Sequence, residues 1–180
     1  GTAGAFYDTA EAGSEAALGA LTARRKPLQD SPTPAGNPTA ASALLRIEAL
    51  SGRARYREIA EDTLGSFAGI VEHFGLYAGS YGLALERLLL DPVQVVILGS
   101  GPEAVRLEAL AVARYSVNKS VMRVAPFRIK SGGIPEGLNE MLVNAPQPKG
   151  AKVWAMVCRG RTCLPPITDG EELLKALEEN

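Results

Sequence analysis

The hydrophobic period of this chain changes at Asp91-Pro92, and that change limits its folds more than any other feature. Before it, core-type residues recur every three or four positions. Ala40, Leu44, Ile47 and Leu50 form one such series. Tyr56, Ile59, Ala60, Thr63, Leu64, Phe67, Ile70, Val71 and Phe74 form a longer one. That spacing lines one face of a helix. After it, Val93–Leu98 is a short β-branched run ending at Gly99, which suits a strand buried on both faces. The expected fold is therefore mixed α and β, with a helical segment over residues 1–90 and a small α/β unit over residues 91–180.

The punctuation sharpens this division. Pro32, Pro34 and Pro38 forbid a regular helix just before residue 38, because each lacks an N–H and restrains its predecessor. Asn37 then reads as an N-cap and Pro38 as the first helical residue. Helices are expected over residues 38–50, stopped at Ser51-Gly52, over 54–74, and over 80–90. Near the start, Phe6-Tyr7-Asp8 reads as a short strand or loop that residues 20–26 partner. In the second half the order is strand 93–98, helix 102–115, strand 117–125, helix 137–143, strand 151–157 and helix 171–179. Thr168 or Asp169 caps the last helix. Such a β-α-β-α-β-α order predicts a small parallel sheet with right-handed crossovers.

The chemical inventory is sparse. Nineteen Lys and Arg against twenty Asp and Glu give a net charge of −1. There are 8 basic and 10 acidic residues before Asp91, and 11 and 10 from it onward. Neither half has the basic excess of a nucleic-acid binder. No apolar run approaches the ~20 residues that span a bilayer. No membrane or nucleic-acid partner is therefore expected, nor any metal or cofactor.

Gly99-Ser100-Gly101-Pro102-Glu103-Ala104 fits G-x-G-x-x-A between a strand and a helix, the context of a dinucleotide fingerprint. The next strand ends in Ala125-Pro126 with no acidic residue for a ribose, so the motif reads as a tight strand-to-helix turn. His73 is the only histidine, and at a helix end it reads as a favourable C-terminal charge. Cys158 and Cys163 form a C-x4-C pair, not the C-x-x-C of a thioredoxin-type site. Reduced structural cysteines are the plainest reading. A disulfide or redox pair is the alternative, with Arg159 and Arg161 placed to favour a thiolate. The loop containing Arg24, Lys26, Asp30 and Asn37 gathers cations, a carboxylate and an amide on restrained backbone, where binding residues tend to lie.

These residues stand in a familiar order. Phe6-Tyr7-Asp8-Thr9, then Arg24-x-Lys26-x3-Asp30-x3-Pro34-x-Gly36-Asn37, then Gly52-x3-Tyr56-x3-Ala60-Glu61, resemble the thioredoxin-domain-containing family typified by spermatogenesis-associated protein 20. Val95-Val96-Ile97-x-Gly99 and Cys158-x4-Cys163-x-x-Pro166 are similar to that family's C-terminal region. The sequence departs from the family pattern at Pro38 and at Gly99-Ser100-Gly101-Pro102.

The resemblance implies a parent with a thioredoxin-like domain followed by an (α/α)6 toroid, similar to sugar epimerases and six-hairpin glycosidases; with no signal peptide visible, a cytoplasmic location is expected. This chain, which does not begin with Met, is then expected to be its C-terminal part, holding the last toroid hairpins and a small α/β unit. It would be inactive without the missing N-terminal portion. The family has no settled activity. Three functions are thus expected: part of a carbohydrate-like pocket, with Asp8, Arg24, Lys26, Asp30 and Asn37 facing a small sugar-like ligand; a sugar epimerase- or glycosidase-like enzyme in the full parent; or a thiol redox or scaffolding role for Cys158 and Cys163.

Overall fold

A computed structural model describes residues 4–10, 23–131 and 133–178. It is mixed α and β, with seven α-helices and a four-stranded mixed sheet among the described residues. The chain divides into two compact units, Gly1–Ile47 with Ala54–Leu89, and Glu48–Arg53 with Leu90–Asn180.

The first unit is helical. It takes most of α1 (Gly36–Ser51), α2 (Arg55–Gly65), a 3-10 segment (Val71–Ala78) and α3 (Gly79–Leu89). Its core joins Leu28 from the proline-rich loop with Ala41, Leu45, Ala60, Leu64, Phe67, Tyr81 and Ala84. The α1 stop is as expected: Gly52 takes φ +69° and its N–H donates to Glu48 O.

Two expectations here need correction. Residues 54–74 do not form one helix. Gly65 ends α2, turns follow, and Gly75 lies in a non-helical conformation inside the 3-10 segment. Glycine is a poor helix former, and the chain instead folds back to bury Phe67. His73 thus belongs to the 3-10 segment, with Nδ1 3.2 Å from Ile70 O. Residues 6–8 make no strand, although Asp8 N–H donates to Arg25 O at 2.9 Å. Residues 20–22 of the expected partner lie outside the described residues.

The second unit contains β1 (Val93–Leu98), α4 (Pro102–Ala113), β2 (Lys119–Val124), α5 (Pro126–Lys130), α6 (Glu136–Asn144), β3 (Trp154–Arg159), β4 (Thr162–Cys163) and α7 (Gly170–Glu178). The sheet order is β2-β1-β3-β4. Alternate residues of β1 serve opposite faces. Val95 and Ile97 pack with Ala104, Leu107 and Ala111 of α4 and Leu173 of α7. Val96 and Leu98 pack with Val124, Met156 and, from α6, Leu138 and Leu142. Asp169 caps α7 by accepting the N–H groups of Glu171 and Glu172. Those bonds, Glu172 first, hold its carboxyl below the usual value.

The sheet is not the parallel one expected. β1 and β2 are parallel, pairing Val93 with Lys119, but β3 runs antiparallel to β1, pairing Val93 with Arg159 and Leu98 with Trp154. A strand buried on both faces is apolar at successive positions, so its pattern carries no direction. Direction comes from the connection. Here that is two short helices and the irregular residues 145–153, rather than a single crossover helix.

Candidate functional site

The loop singled out in the first unit does assemble its polar residues, with Asn37 buried, Lys26 and Asp30 half-buried, and Asp8 and Arg24 exposed. Asn37 is 1% exposed and lies within the first turn of α1, not at the N-cap. Its Oδ1 accepts Phe6 N–H at 2.6 Å, and its Nδ2 donates to Phe6 O and Pro27 O, each at 3.0 Å. One amide thereby ties the N-terminal segment and the loop to the helix.

Asp30 works similarly. Its Oδ1 accepts Ala35 N–H at 2.7 Å and the Ser80 hydroxyl at 2.5 Å, and its Oδ2 accepts Ser80 N–H at 2.7 Å. Ser80 lies in the first turn of α3, so Asp30 caps that helix from a distant loop. Burial pushes its carboxyl upward, but the bonds from Ser80 and Ala35 outweigh it and hold the carboxyl below its usual value.

The remaining members serve the same fastening. Asp8 Oδ1 accepts Arg25 N–H at 2.9 Å. Lys26 Nζ donates to Gly4 O at 2.6 Å and stands 5.0 Å from the Tyr7 ring, while the Arg24 guanidinium lies 3.8 Å over that ring. Asp8, Lys26, Asp30 and Asn37 thus bond backbone groups of the chain, and Arg24 lies over the Tyr7 ring. Asp30 and Asn37 spend their acceptors and donors on the chain itself. Ser80, the partner of Asp30, was not legible from sequence, because fifty residues separate the two.

The cysteine pair presents the opposite case. Arg159-Gly160-Arg161-Thr162 turns β3 into β4, with Gly160 at φ +55° in the first central position, as a type II′ hairpin requires. The turn sets Cys158 directly opposite Cys163. Arg159 pairs with Thr162, and Leu164 N–H donates to Val157 O at 2.9 Å, so the cysteines occupy the close, non-hydrogen-bonded position between these pairs. Their Cα atoms are 3.9 Å apart and the two sulfurs form a disulfide. This corrects the expectation of reduced cysteines. A hairpin places i and i+5 face to face, which spacing alone does not reveal.

The two cysteines differ in exposure. Cys158 is 1% exposed in the core, whereas Cys163 is exposed on the two-residue strand β4 at the sheet edge. Met141 Sδ stands 3.6 Å from Cys158 Sγ and 3.9 Å from Cys163 Sγ. Cys163 also borders a cavity of about 480 Å³ with Met141, Met156, Leu164 and Pro165. The neighbourhood is soft and apolar, and Cys163 is the exposed member of the pair. Arg159 is turned to another task, donating to Ala176 O at 2.9 Å.

Among the described residues, no group of three or more His, Cys, Asp or Glu side chains comes together to hold a metal ion. No helix among them is long and apolar enough to cross a membrane. In comparisons with known proteins, the chain matches no family model, no curated protein and no solved structure.

Proposed function

We propose that this chain acts through Cys158 and Cys163 as a reversible dithiol–disulfide pair, in the C-terminal part of a thioredoxin-domain-containing protein. The observation that carries this reading is the asymmetry of the disulfide, which joins a cysteine buried in the core to one exposed on a two-residue edge strand. Exposed disulfides are the labile, regulatory or catalytic ones. In a cytoplasm, the location expected for this chain, a persistent disulfide is rare and a switching one is the usual kind.

The exchange follows from access. A thiolate of a dithiol donor attacks Cys163 Sγ, and the Sγ–Sγ bond breaks with its electron pair on Cys158 Sγ. The donor's second thiol then attacks its own sulfur in the mixed disulfide and releases Cys163. The donor leaves oxidised by two electrons, and its two protons end on Cys158 and Cys163. A thioredoxin-like domain, as the family resemblance would imply for the parent chain, is a donor of this class.

The (α/α)6 toroid remains the proposed origin of the first unit. Ile70, Leu76, Tyr77 and Leu83 are exposed apolar side chains, as helices awaiting neighbours would carry. A carbohydrate-like pocket is less well supported, because Asp30 and Asn37 have their hydrogen bonds within the chain. Single-cysteine trapping tests the thiol reading. The Cys158→Ser chain, keeping Cys163, is expected to capture glutathione from oxidised glutathione as a mixed disulfide, releasing one reduced glutathione, and the Cys163→Ser chain to capture none. Equal capture, or none by either, contradicts it.

A further inference from the structure

We infer that the second unit binds a small organic anion in the crevice beyond the carboxyl ends of β1 and β2. These strands are parallel neighbours, and the chain leaves them on opposite faces of the sheet. After β1 it enters α4, whose Ala104, Leu107 and Ala111 pack with Val95 and Ile97. After β2 it enters α5 and α6, whose Ile129 and Leu138 pack with Val96, Leu98 and Val124. Connections that part in this way open a crevice at the strand ends, where ligands of open α/β sheets bind.

A cavity lies at that place. Its volume is about 550 Å³, within the range of small-molecule sites. Gly99 and Ser100 line it from the end of β1, and Ala125, Phe127 and Arg128 from the end of β2. Gly99 is required there. Its φ is +131°, and a Cβ would meet Val153 Cγ2 at 2.7 Å and Lys152 O at 2.9 Å. The strand thus turns sharply and brings Ser100, with its hydroxyl and amide, to the rim.

The lining also fixes the charge of the occupant. Among the described residues it includes two arginines, Arg123 and Arg128, and no carboxylate. Arg123 is engaged by Glu108 through a 2.9 Å ion pair, which makes Arg128 the charge offered to an incoming ligand. Its guanidinium fork suits a phosphate or a carboxylate equally. Phe127 and Ile134 supply apolar surface for the ligand's body. The occupant is therefore an anionic head group on a compact, partly apolar body. It need not be a dinucleotide, since no acidic residue follows β2 to hold a ribose.

Amide chemical shifts of the full chain test this, with AMP as a phosphate, benzoate as a carboxylate and adenosine as the neutral control. One or both anions are expected to shift the amides of Gly99, Ser100, Arg128 and Gly133, and the stronger names the head group. Arg128→Gln and Arg128→Glu are each expected to weaken that binding about tenfold or more, with other amides unmoved. Three outcomes overturn the inference: no shift at these amides from either anion, adenosine binding as well as AMP, or full affinity in both Arg128 variants.

Discussion

The loop around Asp30 and the hairpin around Cys163 are opposites in how they use their chemistry. In the first unit, a carboxylate and an amide converge and give their hydrogen bonds to backbone groups up to fifty residues away. In the second, two residues five apart meet across a turn, and one of the two cysteines stays exposed. Convergence of polar residues is therefore not enough to mark a site. What separates a fastener from a reactive group is whether its atoms are already engaged and whether solvent reaches them.

The contrast is open to attack most strongly at Asn37. The Asn37→Ala substitution strands the Phe6 and Pro27 backbone groups and is expected to cost about 3 kcal/mol, read as a lower urea midpoint by far-UV circular dichroism. A ligand-binding role would leave the midpoint nearly unchanged. Reducing the disulfide is expected to cost about 2 kcal/mol, since the loop it closes is short. Trp154, the only tryptophan, lies on β3 in the second unit, so its fluorescence follows that loss directly.

Asp30 gives a smaller, pH-dependent effect. Its folded carboxyl lies below the unfolded value, so its stabilisation is present above the unfolded pKa, near 4. That stabilisation disappears as pH falls through the folded pKa. Asp30→Asn is expected to lose about 1 kcal/mol at neutral pH and to flatten the acid limb of a stability-versus-pH curve. Arg24→Ala should have the least effect, about 0.5 kcal/mol from the Tyr7 ring contact. No measurable loss would mean that the ring contact contributes nothing to stability.

Much of this architecture was legible in the sequence for a physical reason. Burial imposes a period, so the runs ending at Leu50 and Leu98 announced a helix and a strand, and Gly52 and Asp169 announced a stop and a cap. Long-range choices left no local mark. The direction of β3 was invisible because its residues are apolar on both faces. The end of α2 at Gly65 was masked by apolar residues continuing in helical phase, although the chain turns there. The engagement of Asn37 was hidden too, since an N-cap and an inward-facing amide look identical as letters.

Thiol–disulfide titration of the full chain is the most direct test of the central claim. Alkylation and intact-mass measurement across glutathione buffers would count free thiols at each ratio. The account predicts none in the oxidised chain, and two appearing together, reversibly, within the range that glutathione spans. Two free thiols under oxidising conditions would contradict it, as would a disulfide that glutathione never opens.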